Sequence, residues 1–376
     1  MNTLKQALSF DPDYAVPPGQ LIEEYLRDRN MSARELARRC GRSPKLITEI
    51  ILGKAPVEPE TALQLERVLN VDASIWLGFE SEYRLRLARI GEDERLAEHV
   101  QWAKRFPFKS LAQRGLIGDS YQGAGLVRAI LRFFGAGSVD ACKGRCRELV
   151  NADFRTSPTF SSNLEPLAAW LRIGEIRASD AQTEPYDRSK FLLTLQKIRA
   201  LTAKPIVEVF PEAVRLCADA GVAFVVEPPF EKVAASGVSW WMSPRKAVIQ
   251  QSLRFKKDDH FWFTFFHEAA HILLHSRKAV FIDDNKGGGN VSPELEQQAN
   301  DWAEEFLVPR AAMFDFLKRF RRTEDDVIAF ANQLSIAPGI VVGQLQRRGV
   351  IAWGQMNGLR KPCGWGDVAD ELSLPG

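Results

Sequence analysis

The 376-residue sequence predicts a mostly α-helical chain in three parts: a bundle of five short helices at the N-terminus, a helical connector, and a C-terminal α+β domain with a small sheet. Three observations predict it. Apolar residues recur at helical spacing through most segments, beginning with Leu21, Ile22, Tyr25 and Leu26. Runs suited to strands, "VAFVVEP", "GVSWWMS" and "KAVIQQSL", are confined to one stretch between residues 222 and 253. Four of the five histidines, His260, His267, His271 and His275, fall within sixteen consecutive residues of an apolar segment, while His99 lies far away.

The length implies two or three domains. Hydrophobic residues make up 45% and charged residues 26%, enough to build a substantial core. A formal net charge of +2 excludes a globally basic protein that coats nucleic acid, so any such role must come from a local patch. The opening "MNTLKQALSFDPDYAVPP" has no long apolar run after its lysine, and no stretch approaches the ~18 apolar residues of a membrane span, so neither a secretory signal nor a membrane partner is expected. Five cysteines form an odd, sparse set that fits reduced thiols in a cytoplasm. Cys142 and Cys146 share a helix face, and packing as small hydrophobes is the ordinary reading over a redox or metal role.

Residues 1–16 are a polar lead without periodicity. In "MSARELARRCGRSPKLITEIILGK", Ser32 caps a helix with Glu35 completing a capping box, and Gly41 ends it. Ser43 caps the next helix, Pro44 occupies its first turn, and Leu46, Ile47, Ile50 and Ile51 form its apolar stripe until Gly53. "PVEPETALQLERVLNV" and "ASIWLGFESEYRLRLAR" are two further helices. Two adjacent helices joined by a glycine turn within such a bundle read as a helix-turn-helix domain over residues 17–86. Residues 27–54 hold eight Arg or Lys against three Asp or Glu. A solvated helix face is the bland reading of a charge run; here capping, turn and charge agree on a nucleic-acid surface. Ser43, Lys45 and Thr48 on the second helix are the candidates for base contacts, with Glu49 able to accept from cytosine; Arg34, Arg42 and Lys54 are the candidates for phosphate contacts. Binding to double-stranded operator DNA as a homodimer is the corresponding expectation.

Residues 87–200 show amphipathic helices without a chemical motif and are read as a connector or sensor region. The domain at 201–346 opens with a helix at "IVEVFPEAVRLCADAGV", continues through the strand runs, and closes with helices in "SPELEQQANDWAEEFLVP", "TEDDVIAFANQLSI" and "APGIVVGQLQRRG"; residues 347–376 are left as a tail.

His267-Glu268-Ala269-Ala270-His271 matches H-E-x-x-H. On a helix the two imidazoles lie on one face, about 6 Å apart along the axis, where they can grip one Zn²⁺ while Glu268 takes a proton from the attacking water. The bare pattern also occurs by chance, so a third ligand is the test. His275 on the continuing helix is poorly placed, and the glycine turn that lets a nearby third histidine ligate is absent. Glu296, on a separate helix that can fold back, makes a His₂Glu set, and Asn300 one turn on can orient a ligand histidine. His260 is a weak candidate to steady an oxyanion and reads better as a helix-start residue. The run Phe261, Trp262, Phe263, Phe265 and Phe266 reads as core packing that gives the ligands rigid support.

"RFKKDDHFWFTFFHEAAHILLH" followed by "EQQANDWAEEFLVP" and "IAPGIVVGQLQ" resembles the ImmA/IrrE metallo-endopeptidases. The segment from Met31 to Leu77 resembles HigA/VapI-type antitoxin regulators of the Xre class. The two resemblances cover most of residues 17–346 and least of the central helices. One departure is Ala269-Ala270, where the peptidase family usually has Leu-Gly. The resemblance implies a zincin-like fold, zinc bound by His267, His271 and Glu296, Glu268 as general base, and a repressor or other regulatory protein, or the chain itself, as substrate. A non-catalytic antitoxin that binds operator DNA and a toxin, with a structural or idle zinc site, is the competing expectation.

Overall fold

The computed structural model describes residues 16–118, 122–151, 164–231, 233, 235–275, 281–283 and 293–364. They group into two compact units, one holding residues up to 101 with 122–128, the other the remainder. Ser292, the first residue of the expected helix "SPELEQQANDWAEEFLVP", and the polar lead up to residue 15 lie outside the described residues.

The first unit consists of α1 (Pro18–Asp28), α2 (Ala33–Cys40), α3 (Pro44–Ile51), α4 (Pro59–Leu69) and α5 (Ala73–Ala97). Its helix ends are set locally. Ser32 Oγ accepts the Glu35 amide at 3.2 Å and Ser43 Oγ accepts the Leu46 amide at 3.1 Å, each satisfying an orphan donor of the first turn. Gly41 closes α2 in the left-handed region at φ +64°, where a side chain would be strained. The expected capping box is only half made. The Glu35 carboxylate turns outward to Arg38 and Arg39, at 2.8 and 2.7 Å, and these hydrogen bonds hold its carboxyl down at about 2. Of the predicted α3 stripe, Ile47 and Ile50 are fully buried and Leu46 and Ile51 half-buried; they meet Ile22, Leu36, Leu65 and Trp76 in the core. The fifth helix is not short. It runs unbroken for 25 residues past position 86, because its second half is rich in Arg, Leu, Ala and Glu, all strong helix formers.

The second unit is built around a four-stranded sheet: β1 (Val222–Val226), β2 (Gly237–Ser243), β3 (Lys246–Gln251) and β4 (Phe281–Asp283), in the order β1-β3-β2-β4. β1 and β3 are parallel; β2 and β3 form the expected hairpin, turning at Pro244 and Arg245. β4 pairs antiparallel with β2 and was not expected, since three residues carry no usable alternation. Strand alternation sends Val222, Phe224 and Val226 into the main core and Ala223, Val225 and Val248 to the opposite face.

Helices of the connector include α6 (Val100–Ala103), α7 (Phe108–Gln113), α8 (Gly123–Phe134), α9 (Val139–Asn151), α10 (Leu164–Asp180) and α11 (Arg188–Leu201). The last stretch of this region is part of the second unit's packing. Ala178 of α10 covers the opposite sheet face, Trp170 Nε1 donates to Glu227 O at 3.0 Å, and Gln250 Nε2 donates to Trp170 O at 2.8 Å. Cys142 and Cys146 on α9 are fully buried, as packing residues are.

The main core lies between the sheet and α12 (Ile206–Asp219), α13 (Asp258–Leu274), α14 (Pro293–Leu307), α15 (Arg310–Arg319), α16 (Glu324–Leu334) and α17 (Pro338–Arg347). Arg199 of α11 ties two of these together. Its guanidinium donates to the terminal carbonyls of α14, Phe306 at 2.8 Å and Leu307 at 2.8 Å, and to Leu334 at the end of α16 at 3.0 Å. Arg199→Leu removes these charge-assisted bonds and strands the carbonyls, so the urea midpoint of this unit is expected to fall by the equivalent of about 3 kcal/mol. A shift within error would show that water satisfies those carbonyls as well.

Residues 360–363, beyond α17, are tied to the start of α13. Arg360 Nε reaches Asp259 Oδ2 at 2.9 Å in a buried ion pair, Lys361 O accepts the Asp258 amide at 3.0 Å, and the Cys363 amide donates to Lys256 O at 3.0 Å. Residues 360–363 thus form a strap across the N-terminus of α13. Burial and the neighbouring Asp259 carboxylate raise Asp258 to about 6. Among the described residues, no single helix is long and apolar enough to cross a membrane.

Candidate metal centre and DNA-binding surface

α13 is seated by its aromatic face. Phe261, Trp262, Phe265 and Phe266 are all buried, and Phe265 packs on Phe224 of β1 with centroids 4.8 Å apart. That seating leaves His267 and His271 on one face, their Nε2 atoms 3.0 Å apart. α14 folds back beside α13. It brings Glu296 Oε2 to 3.2 Å from His267 Nε2 and Oε1 to 3.5 Å from His271 Nε2.

These three separations test the fit to a metal. Donors held about 2.05 Å from a tetrahedral Zn²⁺ stand roughly 3.3 Å from one another. The observed 3.0, 3.2 and 3.5 Å bracket that edge. The donor chemistry agrees, two imidazoles and one carboxylate, and among the described residues the cluster has these three members. Both histidines are buried and Glu296 is about a quarter exposed, so the cluster opens to solvent on the Glu296 side. Burial, reinforced by His267 and His275, pushes the His271 imidazole far below its usual range, and burial lowers His275 as well. Neutral imidazole is the form that ligates.

The surroundings orient the donors. His267 Nδ1 lies 3.1 Å from Asn300 Oδ1. Glu268, one residue on, is completely buried, and Ser239 Oγ on β2 donates to its Oε2 at 2.7 Å. Gly237 on the same strand leaves room for that carboxylate: a Cβ there would stand 2.7 Å from Glu268 Oε1 and from Thr264. Neither Ser239 nor Gly237 stood out in the sequence, because their importance depends on a strand-to-helix contact. His275 is not within the donor cluster; its Nδ1 faces His271 Nδ1 at 2.9 Å. His260 is also outside it, stacked on Phe255 with centroids 4.4 Å apart. With Phe261 and Thr264 of the same helix it lines a crevice of only about 10 Å³, room for roughly one water.

On the first unit, Arg34, Ser43, Lys45, Thr48 and Lys54 are exposed on or beside α2 and α3. Ser43 Oγ is engaged by its cap, and Thr48 Oγ1 donates to Pro44 O at 2.9 Å. Arg42 is half-buried and points to α4, donating to Gln64 and Glu60, each at 2.7 Å. Arg38 and Arg39, not singled out in the sequence, add exposed positive charge to the same surface.

The comparisons with known proteins match both units. A helix-turn-helix family model covers residues 22–76, and the IrrE N-terminal-like domain model covers residues 218–342. Virulence-associated protein I of Dichelobacter nodosus is 37% identical over 75 residues, 20% of this chain and 69% of that protein. The uncharacterized HTH-type transcriptional regulator YddM of Escherichia coli K12 is 34% identical over 68 residues, 18% of this chain and 72% of that protein. Among solved structures, the antitoxin HigA of Pseudomonas aeruginosa with the higBA promoter is 24% identical, covering 22% of this chain and 90% of its own, with a TM-score of 0.21. A HigA-family addiction module antidote protein of Coxiella burnetii is 24% identical, covering 23% of this chain and 95% of its own, also with a TM-score of 0.21. The chain belongs to the Xre-type helix-turn-helix regulators related to virulence-associated protein I, and it joins to that domain an IrrE-like domain of a metallopeptidase family.

Proposed function

We propose that the chain is an antitoxin-like transcriptional regulator whose C-terminal part is a zinc-dependent endopeptidase acting on a regulatory protein or on the chain itself. The reading assigns double-stranded operator DNA to residues 17–86, bound as a homodimer, and hydrolysis to residues 201–346. Residues 87–200 link or sense.

The observation that carries the peptidase reading is the composition of the cluster: three protein donors among the described residues, with the buried Glu268 carboxylate next to His267 in the sequence. A structural zinc is closed by four protein ligands, whereas a catalytic one keeps a position open. That distinction favours hydrolysis over the idle or structural site of a non-catalytic antitoxin. His267, His271 and Glu296 would hold the ion, and when bound it supplies Lewis acidity to a scissile carbonyl and to the attacking water. Glu268 takes the proton from that water and delivers it to the leaving amine. Ser239 Oγ, donating to Oε2, fixes the orientation of that carboxylate.

Metal analysis of the purified protein alongside His267→Ala tests the centre. About one zinc per chain is expected in the wild type and a large loss in the variant; a wild type that takes up no zinc removes the assignment. The DNA arm is tested separately. Lys45→Ala is expected to weaken operator binding by about 1–3 kcal/mol in a fluorescence-anisotropy titration, with wild-type affinity falling as salt rises. Unchanged binding by the variant would take Lys45 out of the interface.

A further inference from the structure

The two ligand histidines need a defined tautomer. To hold a cation through Nε2, a neutral imidazole must carry its proton on Nδ1, which is then a donor. For His267 the acceptor is Asn300 Oδ1, at 3.1 Å. For His271 the atom facing Nδ1 is another ring nitrogen, His275 Nδ1, at 2.9 Å. Two nitrogens at that distance share one proton, so His275 Nδ1 must accept. Its own proton then sits on Nε2, and Nε2 faces Gln298 Oε1 at 3.4 Å, which is an acceptor. The chain His271 to His275 to Gln298 is thus consistent in the one direction that leaves His271 Nε2 free for a metal.

The backbone makes this possible. α13 ends at Leu274, and His275 takes an extended conformation, φ −111° and ψ 171°, while its amide still donates to His271 O at 3.1 Å. Leaving the helix at this residue places the His275 ring across His271, 5.0 Å between centroids, on the side away from Nε2.

We propose that His275 is a positioning residue of the metal centre: it is no ligand, and it fixes the tautomer and ring orientation of His271 by accepting its Nδ1 proton. The proposal rests on the metal-binding reading above. Partners of this kind typically govern metal affinity by 10–100-fold.

The test is zinc affinity by chelator competition, with Co²⁺ absorption of the substituted protein as a second readout, on wild type, His275→Ala and His275→Asn. The asparagine places an acceptor oxygen near the position of Nδ1. His275→Ala is expected to bind zinc 10–100-fold more weakly. His275→Asn is expected to recover most of that loss, and both variants are expected to keep the wild-type Co²⁺ band positions because the ligand set is unchanged. Wild-type affinity in His275→Ala would overturn the proposal and leave the metal site standing. A changed Co²⁺ spectrum with no recovery in His275→Asn would also overturn it, by making His275 a ligand. Thermal unfolding of the metal-free proteins separates both from misfolding; His275→Asn, the smaller change, carries the comparison if His275→Ala does not fold. A wild type that binds neither ion removes the metal reading itself.

Discussion

Replacing Glu268 by glutamine is expected to lower hydrolysis by about 10²–10⁴-fold, the usual contribution of a general acid–base group, while leaving the metal content unchanged. The substitution is nearly isosteric, which matters because the carboxylate is fully buried with Ser239 Oγ 2.7 Å from Oε2 and no space for a Cβ on Gly237. A glutamine oxygen still accepts the Ser239 hydroxyl, so the fold and the histidines keep their places. What is lost is the ability to take a proton from water and pass it on. The measurement is intact-mass spectrometry of the chain and of co-expressed candidate regulators, with zinc quantified in both proteins. Glu268→Gln cleaving at the wild-type rate would falsify the peptidase reading and leave the non-catalytic antitoxin in its place.

Gly19→Ala is expected to cost the helix-turn-helix unit about 3 kcal/mol, the upper end of ordinary overpacking. Gly19 sits in the first turn of α1 where that helix crosses the end of α3, and a Cβ there would stand 2.1 Å from the Ile51 carbonyl oxygen and 2.3 Å from Ile51 Cα. Backbone cannot move aside as a side-chain tip can. The helices must separate, and Ile22, Ile47 and Ile50 lose their packing with them. Operator binding should fall with the first thermal transition, whereas metal uptake by His267, His271 and Glu296, which lie in the other compact unit, should persist. Equal melting curves for variant and wild type would show that α1 can shift without loss.

The parts legible in the sequence are those whose signals are local. Ser32, Gly41, Ser43 and Pro44 specify helix ends by short-range chemistry, and the structure makes those ends as read. The His267-Glu268-His271 spacing is legible for the same reason, since one helix turn brings the groups together. Glu296 was reachable because its helix pattern and carboxylate supply what the pair lacks. The capping-box half that failed shows the limit of a local rule: Glu35 had two arginines as competing partners, and charge won over a backbone amide. Ser239 and Gly237 were illegible because their meaning arises only when β2 lies against α13. His275 was misplaced on a continuing helix because neither glycine nor proline marks the turn at which the chain leaves α13. Residues 360–363 read as part of a tail, since no periodicity announces an ion pair between Arg360 and Asp259.

That ion pair also sets an order of assembly during synthesis. The apolar core of the first unit draws on residues 21–77, so its side chains are all made early in translation. The metal-bearing helix is made near residue 270 but waits for Arg360 and Lys361 to secure its leading end. A nascent chain therefore holds the core residues of its helix-turn-helix unit long before the residues that tie down the start of α13 exist, and truncation before residue 360 removes that tie.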